Sequence, residues 1–391
     1  MKGLYKILPP FAPDYSGVCA VLFELGGLVV VYDAGGCAFN VTNYDEPRWY
    51  GSSAAILSAS LREIEAVIGD DEKLLKKIED SVRILRRSFV AILGSPASMV
   101  IGTDYQALAD IISKRTGLPA LAFNTNGLKY YDQGAAMAFE ALARRCINPV
   151  CSAANKLVNI IGATPLDIGN QRNMQNLVEK LVEAGCKEVL CWGMGTTLQE
   201  IEEKAAQAHL NIVVSNAGLM AARYMQQMYK IPFLAGIPIG HAPSLRFIAE
   251  VRSLLGLMER SYTIESLPAS SRNALVIGEQ VMGNSIRTCL GMDFGINQVT
   301  VASFFSMDDA LTEAGDIFLE DEDDLTALAN KHRYNYIIGD PLYKKILSSA
   351  GNCFIDFPHI AVSSHLYWDN DIEYVGDGGV DFFKQIINTG N

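Results

Sequence analysis

Short aliphatic strands alternate with amphipathic helices along most of this chain, and this alternation most constrains its fold. Residues 71–85, for example, place Leu74, Ile78 and Val82 on one helical face. The strands predicted after the first forty residues are 61–70 (a short strand and turn), 89–94, 118–123, 157–161, 188–192, 211–215, 274–278, 298–302, 336–339 and 358–362. Such alternation is typical of parallel α/β sheets.

The length of 391 residues predicts two or three domains, at about 150 residues per domain. We therefore predict an α/β fold of three Rossmann-like domains with parallel sheets. The N-terminal domain is expected over residues 1–150, the middle domain over 151–265 and the third over 266–375. The C-terminal helix, residues 376–391, is expected to complete the N-terminal domain.

The charge balance narrows the range of partners. Lysine and arginine total 32 against 44 aspartates and glutamates, a net charge of −12 that disfavours nucleic acid and anionic lipid. No segment approaches the ~20 apolar residues of a membrane span, and the first residues do not resemble a signal peptide. We expect a cytoplasmic protein with no nucleic-acid and no membrane partner.

The cysteines and glycines argue against several common kinds of binding site. Eight cysteines are scattered without CxxC pairs, which favours reduced thiols and disfavours a closed single-chain zinc or ferredoxin site. They are Cys19, Cys37, Cys146, Cys151, Cys186, Cys191, Cys289 and Cys353. Residues 276–284 (VIGEQVMGN) lack the GxGxxG spacing through which pyrophosphate approaches a backbone, so dinucleotide binding is poorly supported.

The stretch from Asp14 to Asn40 carries the best candidate for chemistry. An apolar run with helical spacing, a Gly-Gly break and a short strand lead to Cys37, which follows two glycines. Such a turn exposes one side chain, so Cys37 is the favoured reactive or ligating thiol. Cys19 lies inside the apolar run, where it is either a second ligand or a buried small hydrophobe.

Several motifs, taken in order, resemble component 1 of nitrogenase and the related reductases that act on tetrapyrroles. Residues 31–37 (VYDAGGC) resemble the strand and glycine turn that present a cysteine to an interface iron–sulfur cluster. The segments EIEAVIGDDEKLLKKI (63–78), NIIG (159–162), IGN (168–170), LNIVVS (210–215) and YVGDGGV (374–380) are similar to later parts of the family.

This resemblance implies a dimer of component 1 subunits, with a cluster between them and an ATP-dependent iron–sulfur reductase docking nearby. The chain departs from the family at other ligand positions. Ser95-Pro96 stands where the family has its third cluster cysteine, and the position of the first cluster cysteine falls near Phe11-Ala12. Ser215 stands in place of the cysteine that holds the nitrogenase cofactor. His365 lies within about a residue of the cofactor histidine. Dinitrogen reduction on a molybdenum-type cofactor is therefore disfavoured.

A 4Fe-4S cluster needs four ligands, normally thiolates. In a homodimer, Cys19 and Cys37 of both copies would supply them; a heterodimer with a paralogous subunit is the other arrangement. An oxygen ligand such as Asp14 or Asp33 is an alternative. His365 is a candidate catalytic proton donor or a surface histidine.

Other polar residues carry weaker signals. Asn40, Asn43, Arg48 and Trp49 form either a docking or gating surface beside the cluster or an ordered loop. His241 either protrudes into a cleft or caps a helix.

The resemblance thus implies an oxidoreductase subunit that reduces a tetrapyrrole-like or small-molecule substrate. Two alternatives remain: a scaffold for assembling a metallocofactor or tetrapyrrole, and a cluster-free pseudo-subunit that pairs with a paralogue.

Overall fold

The described part of the chain contains three sheets, each with every strand pairing parallel. They are seen in a computed structural model, which describes residues 6–69, 71–148, 156–169, 171–258, 262, 267–347, 353–369 and 372–387. The predicted α/β class with parallel sheets is confirmed.

The first sheet has the strand order β2-β1-β3-β4. Its strands are β1 Leu28–Val31, β2 Ala55–Ser58, β3 Val90–Leu93 and β4 Ala120–Phe123. The helices of this part are α1 Asp14–Leu22, α2 Gly36–Asn40, α3 Glu63–Ile68, α4 Asp71–Leu85, α5 Pro96–Val100, α6 Tyr105–Thr116 and α7 Tyr131–Arg145. A π-helix, Val41–Asp45, continues α2 directly.

The second sheet has the order β6-β5-β7-β8. Its strands are β5 Leu157–Ile161, β6 Glu188–Cys191, β7 Leu210–Val213 and β8 Phe233–Ala235. The accompanying helices are α8 Pro165–Ile168, α9 Gln171–Glu183, α10 Leu198–Lys204, α11 Leu219–Tyr229 and α12 His241–Leu254. His241 opens α12 and bonds through Nδ1 to Asp377 (2.7 Å), so it joins this helix to the last one.

The third sheet has the order β11-β10-β9-β12-β13. Its strands are β9 Asn273–Ile277, β10 Gln298–Ser303, β11 Ile317–Phe318, β12 Tyr336–Gly339 and β13 Cys353–Asp356. The helices are α13 Gln280–Phe294, α14 Glu322–Lys331, α15 Lys344–Leu347, α16 Ile360–Ser363 and α17 Asp377–Ile387.

Two segments differ from the predicted strands. A strand and turn are predicted at residues 61–70, but residues 63–68 form α3, whose Ile64, Val67 and Ile68 are exposed. Their apolar character therefore marks a surface and not a buried strand. A strand is also predicted at residues 358–362, but β13 ends before them and α16 begins within them. Pro358 has no amide hydrogen to donate to a sheet.

The C-terminal helix α17 packs against α12 and α13. Its Phe383 and Ile387 are buried in a core shared by the second and third sheets. The prediction that this helix completes the N-terminal domain is therefore wrong for its described part, residues 377–387. The domain limits remain a prediction.

The segment before α1 runs across to the third sheet's helices. The amides of Lys6, Ile7 and Leu8 donate to the carboxylate of Glu322, at 2.7 to 3.2 Å. The amide of Ala12 donates to the carbonyl of Ala361 (2.8 Å). Residues from the start of the described chain are thus anchored on its last third.

Helices α1 and α7 cross at very short range, and glycines allow it. A Cβ atom on Gly17 would lie 1.9 Å from the carbonyl oxygen of Tyr131, and one on Gly134 would lie 1.8 Å from that of Asp14. No larger side chain fits at either position without separating the backbones. This crossing fixes the positions of Tyr15, which α1 carries, and of Tyr131, which α7 carries.

Candidate functional site

Cys37 lies on a short turn that its neighbours hold firmly. Gly35 adopts a φ of 122° just before α2, a conformation that favours glycine. The Asp33 carboxylate accepts the amide of Ala38 (3.0 Å) and the hydroxyl of Ser58 (2.6 Å). The turn therefore presents the Cys37 thiol, half-buried, at the carboxyl end of β1.

The Cys37 thiol is a protonated group near neutral pH. Burial raises its pKa, a hydrogen bond from the Tyr15 hydroxyl lowers it, and the charges of Asp33 and Asp14 raise it again. The balance is a pKa above the ordinary thiol value. A bound metal would deprotonate it, since metal coordination produces the thiolate outright. The thiol thus suits ligation better than free nucleophilic attack.

The other predicted ligands occupy different environments. Cys19 lies on α1 with no exposed surface, and burial raises the pKa of its thiol strongly. Asp14 is also buried and accepts the amides of Asn126 (2.9 Å) and Gly127 (2.8 Å). Among the described residues, no three His, Cys, Asp or Glu side chains are arranged to hold a metal ion. Any cluster at Cys37 would need ligands from a second chain or a shift of α1.

Exposed apolar side chains follow each strand of the first sheet at its carboxyl end. We call this set the apolar edge: Phe39, Ile64, Val67, Ile68, Met99, Val100 and Leu128. Val100 is 80% exposed and Leu128 72%. Exposed apolar side chains that follow all four strands at one edge of a sheet make this edge a candidate interaction surface. Cys37 lies on the same edge, two residues before Phe39.

A pocket of about 380 Å³ opens beside Tyr15, whose hydroxyl bonds to the Cys37 thiol. Tyr15, Asn40, Tyr44 and Asp45 line it, together with residues 9–13. Burial raises the pKa of Asp45 to about 7, although Ser16 donates to its carboxylate (2.7 Å) and opposes the shift.

His365 lies exposed on the surface near this pocket. Its ring centroid is 5.0 Å from that of Tyr44 and 6.0 Å from that of Trp368. The structure thus places this predicted proton donor on the side of the apolar edge. A catalytic role for it stays a prediction.

The loop after the π-helix is fastened by Arg48. This guanidinium makes a bidentate pair with Glu46 (both 2.7 Å) and donates to the carbonyls of Ala20 and Gly193 (both 2.8 Å). Because Gly193 follows β6, Arg48 ties the first sheet's part of the chain to the second.

The remaining polar residues of this loop have structural contacts. Asn40 donates to Asp45 (2.6 Å) and Asn43 to the Phe39 carbonyl (3.0 Å), so both brace the helical segment. The ring of Trp49 packs at 6.2 Å from that of Phe23. The segment is therefore an ordered loop, and a docking or gating role for it stays a prediction.

A second polar cluster lies where the three parts of the chain meet. We call it the central polar group: Tyr131, Asp167, Glu279 and His359. The Tyr131 hydroxyl donates to Asp167 and lies 3.2 Å from Nε2 of His359, which is 3.4 Å from Asp167. Nδ1 of His359 is buried and has no hydrogen-bond partner among the described residues.

The central polar group can store protons. Burial, and then the charge of Asp167, raises the pKa of Glu279 to about 8. Its carboxylate accepts the amides of Asn216 (2.7 Å) and Met282 (2.9 Å). Burial also raises the pKa of the Tyr131 hydroxyl. A carboxyl group that is protonated near neutral pH and lines the same small cavity as a histidine suits proton exchange.

The space at the central polar group is small. Asp167, Glu279 and His359 line a cavity of about 20 Å³, enough for about one water molecule. Ser215, at the position that resembles the nitrogenase cofactor cysteine, is fully buried and donates to the carbonyl of Gly162 (2.7 Å). Neither the volume nor this serine fits a multi-iron cofactor.

A larger groove of about 550 Å³ lies between the Arg48 loop and the second sheet's helices. Its walls include Pro47 and Arg48 on one side, and Met174, Val178 and Met194 on the other. We call it the Arg48 groove.

Comparisons with known proteins identify the family to which this fold belongs. A family profile described as nitrogenase component 1 type oxidoreductase matches residues 14–374. The chain therefore belongs to the nitrogenase component 1 type oxidoreductase family, which confirms the resemblance predicted from its motifs.

Related sequences include subunits of light-independent protochlorophyllide reductase from two bacteria. That of Chloroflexus aggregans is 24% identical over 205 residues, which cover 51% of this chain and 36% of the relative. That of Cereibacter sphaeroides is 25% identical over 196 residues, which cover 49% of this chain and 37% of the relative. The match thus spans little more than a third of these relatives' length.

Two solved structures of nitrogenase Cp1 share the fold. The structure at pH 6.5 has a TM-score of 0.75 at 14% identity and covers all of this chain and 93% of its own. The structure at pH 5 has a TM-score of 0.70 at 17% identity and covers 99% and 90%. At these identities the likeness establishes the fold alone.

Among the described residues, no helix combines the length and the apolar composition that a membrane crossing requires.

The central polar group is the feature that sequence reasoning missed. Asp167, Glu279 and His359 each follow a strand, by six residues or fewer, and the carboxyl ends of parallel strands form the usual ligand edge. A survey of polar residues just beyond each strand would have found them. Their convergence with Tyr131 needed the three-dimensional structure.

Proposed function

We propose that this protein is a component 1 subunit of a nitrogenase-like oxidoreductase in the cytoplasm. It accepts single electrons from an ATP-dependent iron–sulfur reductase through an interface cluster and reduces a tetrapyrrole-like or other small organic molecule. The observation that carries this proposal is Cys37, a held and half-buried thiol on the apolar edge. Family membership supports both the chemistry and an assembly of several subunits.

Cys37 would provide this chain's principal ligand to the cluster, whose 4Fe-4S type rests on the resemblance alone. A cubane takes four ligands, so the partner must supply those that this chain does not. In a homodimer, Cys19 or an oxygen ligand of each copy must reach the cluster. In a heterodimer, a paralogous subunit with more cysteines could supply the remaining ligands itself. When bound, such a cluster carries one electron at a time.

The chain's own residues have defined tasks in this proposal. Asp33 fixes the turn through Ala38, and Tyr15 holds the Cys37 sulfur by a hydrogen bond. The apolar edge excludes water from the interface. Dinitrogen reduction on a molybdenum-type cofactor is not proposed, because the cavity of about 20 Å³ and Ser215 do not fit that cofactor.

Iron analysis of anaerobically prepared protein tests the role of Cys37. We expect Cys37→Ala to lose most of the iron and the visible absorption, since the favoured ligand is gone. Cys353→Ala is the matched control, because Cys353 is an exposed thiol at the start of β13, far along the chain from the apolar edge. Full iron retention by Cys37→Ala would refute the ligand assignment.

The same preparations separate the alternatives. A scaffold would bind its cargo but show no steady ATP-coupled turnover with the reductase. A cluster-free pseudo-subunit would yield no stoichiometric iron after anaerobic reconstitution, with or without its paralogue.

The apolar edge predicts where subunits associate. We expect Val100→Glu to weaken association by about tenfold or more, roughly 1.4 kcal/mol, because it buries a charge in an apolar interface. Ile84→Glu is the control, since Ile84 is similarly exposed (75%) but lies on the last turn of α4, toward the other end of the first sheet. Sedimentation equilibrium of this chain, alone and with a paralogue, measures both. Equal effects of the two substitutions would contradict the interface.

A further inference from the structure

The Arg48 groove has the size and lining of a small-molecule site. Its volume of about 550 Å³ lies within the range of ligand pockets, roughly 300 to 1,000 Å³. Pro47, Pro165, Met174, Val178 and Met194 give it apolar walls. Methionine side chains adapt to ligands of irregular shape.

The charges around the groove select against anions. Among its described lining residues, the charged ones are Arg48, Glu24 and Glu179. Arg48 is already engaged by the bidentate bond to Glu46, and it also lies 3.4 Å from Glu24. Glu179 is exposed at the groove and adds a further negative charge. A neutral ligand avoids this repulsion, whereas an anionic one does not.

The groove also leads toward the central polar group. Gly169 borders both the groove and a cavity of about 30 Å³. Asp167 borders that cavity and the cavity of about 20 Å³ that Glu279 and His359 share. Each cavity has room for about one or two water molecules. Titratable groups therefore lie close behind the inner wall of the groove.

The groove is connected to Cys37 by a largely helical segment. Cys37 lies on α2, the π-helix follows without a break, and Glu46 comes directly after it. The helical segment ends at Asp45, and Arg48 of the groove lies three residues beyond its end. The proposed electron-entry residue and the groove are thus joined by a short, mostly helical stretch of chain.

We propose that the Arg48 groove binds the substrate, a neutral and largely apolar small molecule, with the central polar group behind its inner wall. The reductive role of the groove rests on the proposed function. In a two-electron reduction there, one π bond of the substrate breaks and two bonds to hydrogen form. The iron–sulfur reductase supplies the two electrons, and water supplies the two protons by exchange with the central polar group.

Binding of Nile red, a neutral ring dye, tests the groove without any electron transfer. We expect the purified protein to bind the dye, and Gln175→Trp to weaken binding by about tenfold, roughly 1.4 kcal/mol. Gln175 is exposed and lines the groove, so the tryptophan fills the site without entering the core. Val178→Trp, one turn further along α9, should act in the same way.

Val182→Trp is the matched control, because Val182 is an exposed residue of α9 (57%) outside the groove lining. It should bind the dye within about twofold of the unmodified protein, as should Val100→Glu on the apolar edge. The anionic dye 8-anilinonaphthalene-1-sulfonate should bind more weakly than Nile red. No binding of Nile red, equal binding by Gln175→Trp, or a preference for the anionic dye would each overturn the proposal.

This test is independent of the cluster. Cys37→Ala should keep the affinity for Nile red even if iron analysis disproves the electron-entry role. Conversely, intact iron binding with no dye binding would refute only the assignment of the Arg48 groove as the substrate site.

Discussion

Replacing Gly134 by alanine is expected to lower the free energy of unfolding by about 3 kcal/mol, near the upper end of overpacking effects. The new Cβ atom would stand 1.8 Å from the carbonyl oxygen of Asp14. That obstacle is backbone, so no side chain can rotate away and α1 must separate from α7. Gly17→Ala should act in the same way from the opposite helix, because its Cβ meets the carbonyl oxygen of Tyr131.

Urea unfolding followed by circular dichroism measures this effect. Gly278→Ala is the control, since a Cβ atom there meets no other atom within 4 Å. Its free energy of unfolding should stay close to that of the unmodified protein. If Gly134→Ala proves as stable as Gly278→Ala, the backbones of α1 and α7 are not in contact at this crossing.

Stability is expected to fall as the pH rises from about 4.5 to about 8, and Glu279 is a principal cause. The pKa of Glu279 is raised from 4.5 to about 8 by burial and by the charge of Asp167. In that interval the folded protein keeps a proton that the unfolded chain has lost, so raising the pH favours unfolding. Asp45, with its pKa raised to about 7, contributes in the same direction.

Glu279→Gln should remove much of this pH dependence. A shift from 4.5 to about 8 corresponds to a change on the order of 5 kcal/mol across the interval, since each pKa unit is about 1.4 kcal/mol. The variant loses one of the two oxygens that accept the amides of Asn216 and Met282. It should therefore be less stable than the unmodified protein near pH 5, and the difference in stability should shrink near pH 8. Unfolding curves at both pH values provide the comparison. Glu203→Gln, at an exposed position of α10, should keep the original dependence; an identical slope in Glu279→Gln would contradict the assignment.

The features predicted well from the sequence are local ones. The strand and glycine turn before Cys37 are contiguous, so residue types alone indicate how the thiol is presented. Long helices such as α4 are found for the same reason, because their apolar spacing repeats over several turns. The parallel arrangement of the sheets follows from the alternation of strands with helices.

The candidate histidine shows how one misplaced element alters a site prediction. A last strand at residues 358–362, as predicted, would enclose His359 and place His365 beyond its end. The strand instead ends at Asp356, so His359 lies just past the carboxyl end of β13 and reaches the central polar group. His365 is six residues further along, on the surface.

The remaining misses have a long-range origin. Tyr131, Asp167 and His359 are separated by up to 228 positions in the sequence, and only the packing of three sheets brings them together. The apolar run of α3 predicts a strand although it forms an exposed helix, because the run does not reveal whether it faces a core or the surface. In both cases the deciding interactions lie outside the local sequence.

The anchoring of residues 6–13 on the third sheet's helices has a consequence for the order of folding. Ala12 pairs with Ala361, about 350 residues later. At roughly 5 to 20 residues per second, a ribosome takes roughly 20 to 70 s to make the intervening chain. Within that time the first sheet can form and Ala12 can accept the amide of Tyr131, but residues 6–8 must wait for Glu322 to be made. Among the earliest described residues to be synthesised are therefore some of the last to find their places.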